Sequence, residues 1–251
     1  MILYKKAIVC DLDGTLAKSK STLSPEMAEV LCKLLEKYFI VIVSGGAYHQ
    51  FEKQFLEGFV NCPKDHLANL YLFPTMGSAC YVYNKTTDSW DELYNEKFTD
   101  LEKSQILSAF ESAISESKLD LSSPFGEIIE DRGSQITFSG RGQDAPIDVK
   151  ANWDKNQLKR KKIVDILKTK IPQYEIGIGG TTSIDITKKG IDKAYAIKKI
   201  TNLLHIREDE IEFIGDALYK SGNDEPVKKT NADYVQEDGP EDTLEYLRQF
   251  V

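Results

Sequence analysis

The sequence predicts an α/β protein: a doubly wound, Rossmann-like parallel-sheet core carrying an inserted α+β domain. Three observations predict it. Short apolar runs recur and end abruptly in polar residues: Ile8-Val9-Cys10 before Asp11, Phe39-Ile40-Val41-Ile42-Val43 before Ser44, and Ile211-Glu212-Phe213-Ile214 before Gly215-Asp216. Runs of that length without alternation read as strands buried on both faces, as in parallel sheets. Between about residues 85 and 187 the texture changes to strict alternation and longer helices. From Ile191 the first texture returns. The expected organisation is a core of 1–84 and 188–251 around an insertion of 85–187.

The elements follow in order. Ser24-Pro25-Glu26 is a helix start, with Ser24 as N-cap and Pro25 in the first helical position. Met27, Val30, Leu31, Leu34, Leu35 and Tyr38 then recur at helical spacing. Strand, helix and strand at this spacing make a βαβ unit. A helix is expected from Ala47 to Glu57, a loop from Asn61 to Asn69, and a third apolar run at Leu70-Tyr71-Leu72-Phe73, followed by a turn at Pro74–Ser78 and a strand at Ala79–Tyr83. In the insertion, Thr99-Asp100-Leu101-Glu102 is a capping box and Asp154-Lys155-Asn156-Gln157 a second one, each opening a helix. Ile136 and Phe138, Ile176 and Ile178, and Ile184 and Ile186 alternate with small or polar residues. Period two with one polar face implies an antiparallel sheet covered on one side by helices. The last helix starts near Gly239-Pro240-Glu241-Asp242.

Composition narrows the function. The 251 residues carry a formal net charge of −8, which argues against general nucleic-acid binding. No apolar run approaches the ~20 residues of a membrane span, and the first strand begins too early for a signal peptide to precede it. Cys10, Cys32, Cys62 and Cys80 lack the C-x-x-C spacing of zinc sites and read as reduced thiols of a cytoplasmic protein. Cys10 is expected to point into the core.

Asp11 and Asp13 therefore stand at the carboxyl end of the first strand, where open α/β sheets place their ligands. Two carboxylates so close raise each other's pKa unless a cation neutralises them. Ser44 and Asp216 end two further strands along the same edge. Gly45 and Gly46 let backbone amides approach an anion.

Asp11-Leu12-Asp13-Gly14-Thr15 resembles the first motif of the haloacid dehalogenase-like phosphotransferases. The resemblance implies that Asp11 attacks phosphorus, that Asp13 is general acid and base, and that Mg²⁺ neutralises the site. Ser44 resembles the second motif, which hydrogen-bonds the transferring phosphoryl group. Gly215–Asp224 resembles the fourth, so Asp11, Asp13, Asp216, Asn223 and Asp224 are the implied metal-site residues. For the third motif, Lys188, Lys189 and Lys193 offer themselves, and Lys193 fits best because it opens the helix that resumes the core.

Gly179-Gly180-Thr181-Thr182-Ser183-Ile184-Asp185-Ile186 with Gly190-Ile191-Asp192-Lys193 is similar to the corresponding run of eukaryotic-type phosphomannomutases, as are Gly239–Thr243. The insertion then corresponds to the family's large mixed cap. Arg132 and Arg141 resemble its phosphate-gripping arginines, and Gly45, Ser183 and Asp185 complete the implied substrate contacts. Residues 139–153 match poorly, and Lys18 and Lys20 stand where the mutases carry a different basic loop. The expected partner is a small phosphorylated metabolite, a sugar phosphate, without nucleic acid or membrane; the resemblance allows a homodimer. Two arginines are few for gripping a second phosphate, so the sequence points to hydrolysis of a sugar phosphate, with a phosphohexomutase as the alternative.

Overall fold

The computed structural model describes residues 5–19 and 21–251, so Lys20 lies outside it. The chain forms two compact units, Met1–Asn95 with Asp192–Val251, and Glu96–Ile191.

The first unit begins β1 (Ala7–Asp11), α1 (Pro25–Leu34), β2 (Phe39–Val43), α2 (Tyr48–Gln54), α3 (Lys64–Leu67), β3 (Leu70–Phe73), β4 (Ala79–Asn84) and β5 (Ser89–Asn95). The second unit holds α4 (Asp100–Ser117), β6 (Ile129–Asp131), β7 (Gln135–Ser139), α5 (Ile147–Trp153), α6 (Leu158–Lys170), β8 (Tyr174–Gly179) and β9 (Ser183–Lys188). The chain then completes the first unit with α7 (Lys193–Leu204), β10 (Ile211–Gly215), β11 (Asp233–Gln236) and α8 (Pro240–Arg248).

The sheet of the first unit has the order β11-β10-β1-β2-β3-β4-β5. Its first five strands are parallel, and β4 and β5 are added antiparallel at one edge. Every residue of β1 is buried. Ile8 and Cys10 face one apolar layer with Leu31, Phe51 and Leu247, whereas Ala7 and Val9 face the other with Ile197, Ile200 and Phe213. Helices thus cover both faces, which is why the strands needed no polar side. The Cys10 side chain lies in the core as expected. Burial, then the neighbouring Asp11 charge, pushes its thiol above the ordinary range, which removes it as a nucleophile.

The α1 start is as the sequence implies: Ser24 Oγ accepts from the Met27 amide at 3.2 Å, and Pro25 opens the helix. The helix expected from Ala47 to Glu57 stops at Gln54 and passes into a 3-10 turn, Leu56–Phe59. Residues 61–69, expected as loop, contain the single turn α3.

Two differences from expectation have clear causes. Residues 89–95 belong to the first unit because β5 pairs with β4 along its whole length. Its composition is polar because it is an edge strand with much of its surface exposed. The return point falls at Asp192 because β9 continues to Lys188 and Thr187 Oγ1 donates to the Ile191 carbonyl at 3.2 Å. The cysteines are the second difference. Cys10 and Cys80 are free, but Cys32 and Cys62 form a disulfide. They lie 30 residues apart, and packing of α1 against the segment after the 3-10 turn brings them together, which no local spacing could announce.

In the second unit the sheet has the order β6-β7-β9-β8 and is antiparallel throughout. Ile136, Phe138, Ile184 and Ile186 pack against Phe110 of α4 and Ile163 and Leu167 of α6. Gln135, Thr137 and Ser139 pair across the ladder with Thr187, Asp185 and Ser183, giving the opposite, polar face. The capping box at Thr99 is complete: Thr99 Oγ1 accepts from the Glu102 amide at 3.3 Å and Glu102 Oε2 accepts from the Thr99 amide at 2.7 Å. The second expected box is not formed. The α6 helix starts at Leu158, and Asp154 instead accepts from the amides of Lys159 and Arg160 at 3.0 and 3.1 Å.

Asp154 also holds the Arg160 guanidinium, with Nε to Oδ2 at 2.9 Å and both side chains buried. Arg160 Nη1 donates onward to the carbonyls of Gly179 and Gly180 at 3.0 and 2.8 Å. This pair anchors the turn between β8 and β9. Arg160→Ala leaves the buried Asp154 carboxylate with its two backbone amides but no counter-charge, strands those carbonyls, and is expected to cost about 3–5 kcal/mol. Urea unfolding followed by circular dichroism checks it; a loss below about 1 kcal/mol contradicts the assignment.

Candidate active site

Asp11 is the last residue of β1 and only 3% exposed. The chain then turns sharply: the Gly14 amide donates to the Ala17 carbonyl at 2.8 Å, and Asp13 forms a bridge with Ala17. Gly14 has φ +96°, and a Cβ there would stand 2.5 Å from Asp216 Oδ2. The turn therefore needs glycine twice, for its backbone and for room.

Thr15 ties this turn to the next strand. Its hydroxyl lies 3.4 Å from Asp11 Oδ2 and from Asp216 Oδ1, and it accepts from the Asp216 amide at 3.0 Å. Asp216 follows β10, which pairs directly with β1. The loop beyond folds back so that Asp224, fully buried, accepts from the Ala217 amide at 2.9 Å.

Lys193 supplies the counter-charge. It is the first residue of α7, with Asp192 as N-cap accepting from the Tyr195 amide at 2.9 Å. A cation at a helix N-terminus opposes the helix dipole, so the helix does not explain it. Its ammonium is fully buried and contacts both Asp11 Oδ1 and Asp224 Oδ1. Burial works against its charge, but the carboxylates of Asp11 and Asp224 outweigh that and hold the ammonium protonated.

Asp11, Asp216 and Asp224 each place a carboxylate oxygen within 4.8 Å of the others. Three carboxylates face one ammonium, and the excess negative charge shows. Burial first, with Asp224 and Asp216 adding to it against Lys193, pushes Asp11 up to about 8. Burial and then Asp224 raise Asp216. An all-oxygen cluster with surplus negative charge suits a hard divalent cation such as Mg²⁺. Of the five implied metal-site residues, the structure brings these three together. Asp13, partly exposed, stands outside the cluster, and Asn223 sits in the turn leading into Asp224.

Ser44 follows β2, whose register sets Val43 beside Asp11, so it occupies the same sheet edge. Its hydroxyl accepts from the Gly46 amide at 3.1 Å. The carbonyls of Ser44 and Gly46 accept from the amides of Met76 and Thr75 at 2.9 and 3.0 Å. Thr75 and Met76 pay for these contacts with φ of +50° and +58°, a strain of about 1–3 kcal/mol each. The sequence reading placed a turn here without seeing that it braces the Ser44 loop. It also missed Thr15 as a functional residue, although the hydroxyl lay within the quoted motif.

In the second unit, Asp185 accepts from Thr137 Oγ1 at 2.7 Å and Gln135 Nε2 at 3.1 Å. Burial raises its carboxyl, and the Arg132 charge opposes that. Arg132 binds Glu130 through Nε at 3.0 Å and Nη2 at 2.7 Å. Ser183 shares the Asp185 strand and face. Arg141 stands beyond the other end of β7, donating to the Ser122 carbonyl at 3.4 Å with its guanidinium 5.9 Å from the Phe125 ring centre. The structure thus groups Arg132 with Asp185 and leaves Arg141 apart from them.

The family model described as eukaryotic phosphomannomutase matches residues 27–251. The chain belongs to that family. It is similar to the phosphomannomutase of Saccharomyces cerevisiae, 30% identical over 256 residues that cover 96% of this chain and 92% of that protein. A probable phosphomannomutase of Caenorhabditis elegans is 25% identical, covering 97% and 94%. Among solved structures, a haloacid dehalogenase-like hydrolase from Bacteroides thetaiotaomicron superposes with a TM-score of 0.65 at 16% identity, covering 98% of this chain and all (100%) of that one. A C-terminally truncated IMP-nucleotidase of Plasmodium falciparum reaches 0.75 at 18% identity, covering 100% and 73%. These structural likenesses show the fold, and the family match identifies an enzyme of the eukaryotic phosphomannomutase family.

Gly14→Ala should drive a methyl group into the Asp216 carboxylate. We expect a destabilisation of about 1–3 kcal/mol and divalent-cation binding at least about tenfold weaker. Calorimetric titration with Mg²⁺ checks the second effect; unchanged affinity contradicts the packing described.

Proposed function

We propose that this protein is a Mg²⁺-dependent phosphotransferase working through an aspartyl phosphate, and that its reaction is the interconversion of hexose 1- and 6-phosphates. The observation that carries the chemistry is the buried Asp11 carboxylate, held by Lys193 and set within 4.8 Å of Asp216 and Asp224. The mutase reaction rests on the family match over residues 27–251 and on relatives named phosphomannomutase along nearly their whole length. These favour the mutase over the hydrolysis to which the sequence alone leaned.

Asp11 attacks phosphorus in line, and the bond from phosphorus to the sugar oxygen breaks. Asp13 gives that oxygen its proton, then removes one from the incoming hydroxyl, which takes the phosphoryl group and restores the Asp11 carboxylate. Lys193 keeps Asp11 oriented, and Ser44, its hydroxyl held by the Gly46 amide, steadies the phosphoryl oxygens together with the Gly45 amide. Asp11, Asp216 and Asp224 would hold Mg²⁺, which supplies charge neutralisation and polarises the phosphoryl group. Arg132, Asp185 and Ser183 are the proposed contacts for the part of the substrate that does not react. A doubly charged metabolite does not cross a bilayer unaided, so the cytoplasm is the proposed location. No helix among the described residues is long and apolar enough to span a membrane.

One observation favours hydrolysis as the second reading. Arg132 is already paired with Glu130, and Arg160, the remaining arginine of this unit's polar core, is committed to Asp154. A mutase must grip a second phosphate and exclude water, and these commitments leave it few unspent cations.

Asp11→Asn keeps the shape and removes the attacking charge. Turnover should fall by at least roughly 10⁴-fold while circular dichroism shows the protein still folded; near-wild-type activity would remove Asp11 from its role. Mg²⁺ binding must displace the proton that Asp11 retains below about 8. Affinity should therefore weaken as pH falls below that value, approaching about tenfold per unit. Calorimetry in buffers of different ionisation enthalpy should detect the released proton, and a pH-independent affinity would contradict it.

The decisive assay incubates the enzyme with Mg²⁺, mannose 1-phosphate and a hexose 1,6-bisphosphate, scoring isomerised sugar and free phosphate separately. The expected result is isomerised sugar well in excess of phosphate, with Arg132→Ala shifting the ratio toward phosphate. Phosphate as the main product would establish the hydrolase instead.

A further inference from the structure

On the first unit, apart from the carboxylate cluster, lies a second group of metal-ligating side chains: Cys32 of α1, Cys62, and His66 of α3. Each offers a ligand atom within 4.8 Å of the others. Cys62 stands two residues before α3, across the Pro63 N-cap, and His66 lies within that helix. Cys32 arrives from 30 residues earlier in the chain, with a Cα–Cα distance of 5.8 Å to Cys62.

The His66 ring is the observation the disulfide does not explain. Its Nδ1 is buried and has no hydrogen-bond partner. A buried imidazole nitrogen without a partner calls for a ligand or a proton acceptor, and beside it stand the two sulfurs.

The segments stay together without the disulfide. Asn69, just beyond α3, donates its side-chain amide to the Leu35 carbonyl at the end of α1 at 2.9 Å, and its carbonyl accepts from the Ile40 amide of β2 at 2.9 Å. Leu31, Leu34, Leu35 and Leu67 bury their side chains in one apolar layer. Reduction therefore leaves two thiols and an imidazole facing one another on a frame that is already built.

We propose that Cys32, Cys62 and His66 form a redox-gated site for a borderline-soft divalent cation, Zn²⁺ in the first instance. The reduction is an ordinary thiol–disulfide exchange. A thiolate of a small dithiol attacks one sulfur, its second thiolate releases the other, and the reductant leaves as its own disulfide while Cys32 and Cys62 become thiols. The cation then displaces their two protons and takes two thiolate sulfurs and one neutral imidazole nitrogen, with water in the fourth position of a tetrahedral set. Oxygen ligands dominate the carboxylate cluster and sulfur dominates here, so the two sites sort hard and soft cations.

Cobalt titration of the intact protein tests it, because a thiolate-to-cobalt charge-transfer band in the near ultraviolet arises only from sulfur ligation. The protein is reduced with a dithiol, freed of reductant under anaerobic conditions and titrated with Co²⁺, then with Zn²⁺. The expected result is a thiolate band saturating at one equivalent, bleached by Zn²⁺, and absent from the same protein left oxidised. Cys32→Ser and Cys62→Ser should abolish it, and His66→Ala should weaken Co²⁺ binding by more than roughly a hundredfold, beyond what loss of an outer partner costs. Reduced wild-type protein without the band overturns the proposal. So does a band that survives in the Cys32→Ser/Cys62→Ser double variant, which would assign it to Cys10 or Cys80, or one untouched by His66→Ala.

Discussion

A single buried ammonium, that of Lys193, holds the catalytic edge of this protein together. It lies between Asp11 at the end of β1 and Asp224 at the end of the loop after β10. Remove it, and the carboxylates of Asp11, Asp216 and Asp224 confront one another without the ammonium that pairs with two of them. The position of Lys193 in the chain matters as much as its charge. The residue follows directly on the return from the second unit, at the start of α7. The insertion is thus closed, in covalent terms, by the residue that balances the site. The ammonium alone leaves negative charge unmatched. Burial first, and then that surplus, push the Asp11 carboxyl up, and the surplus suits the cluster to a divalent cation.

Much of this edge was legible in the sequence because its signals are local. A buried parallel strand must be apolar along its length, so the change from Cys10 to Asp11, or from Ile214 through Gly215 to Asp216, marks the strand end and its chemistry together. Lys193 was legible for a related reason, since it opens a periodic helix directly after an alternating strand. The parts that were not legible depend on contacts between distant segments. Thr15 joins two strand ends through one hydroxyl, and nothing in its sequence neighbours requires Asp216 to be there. β5 is polar because it is an edge, and polarity was the feature that suggested a domain boundary. Cys32 and Cys62 meet across 30 residues of fold, and Asp154 caps α6 from further back than a capping box allows, while also binding Arg160.

The second unit follows a different physical logic. Its apolar sheet face is fixed by α4 and α6, and its polar face is a network in which most groups already have partners. Asp185 is shared by Thr137 and Gln135, and Arg132 is bound to Glu130. Such a network orients its members, so the directions of its acceptors and of the Arg132 guanidinium are preset. Under the proposed reaction, a second phosphate would compete with Glu130 for Arg132. The balance between mutase and hydrolase would then turn on that competition.

The account depends most on Asp11 being the residue that becomes phosphorylated. The direct measurement is to mix enzyme, Mg²⁺ and a hexose bisphosphate labelled in its phosphoryl groups, quench in acid within one turnover, and map the label by peptide mass spectrometry. The account predicts an acid-stable, hydroxylamine-labile phosphoryl group on the peptide containing residues 7–16, at Asp11, and none in Asp11→Asn. Label on Asp13 or on another side chain, or turnover with no labelled protein at any quench time, would contradict it.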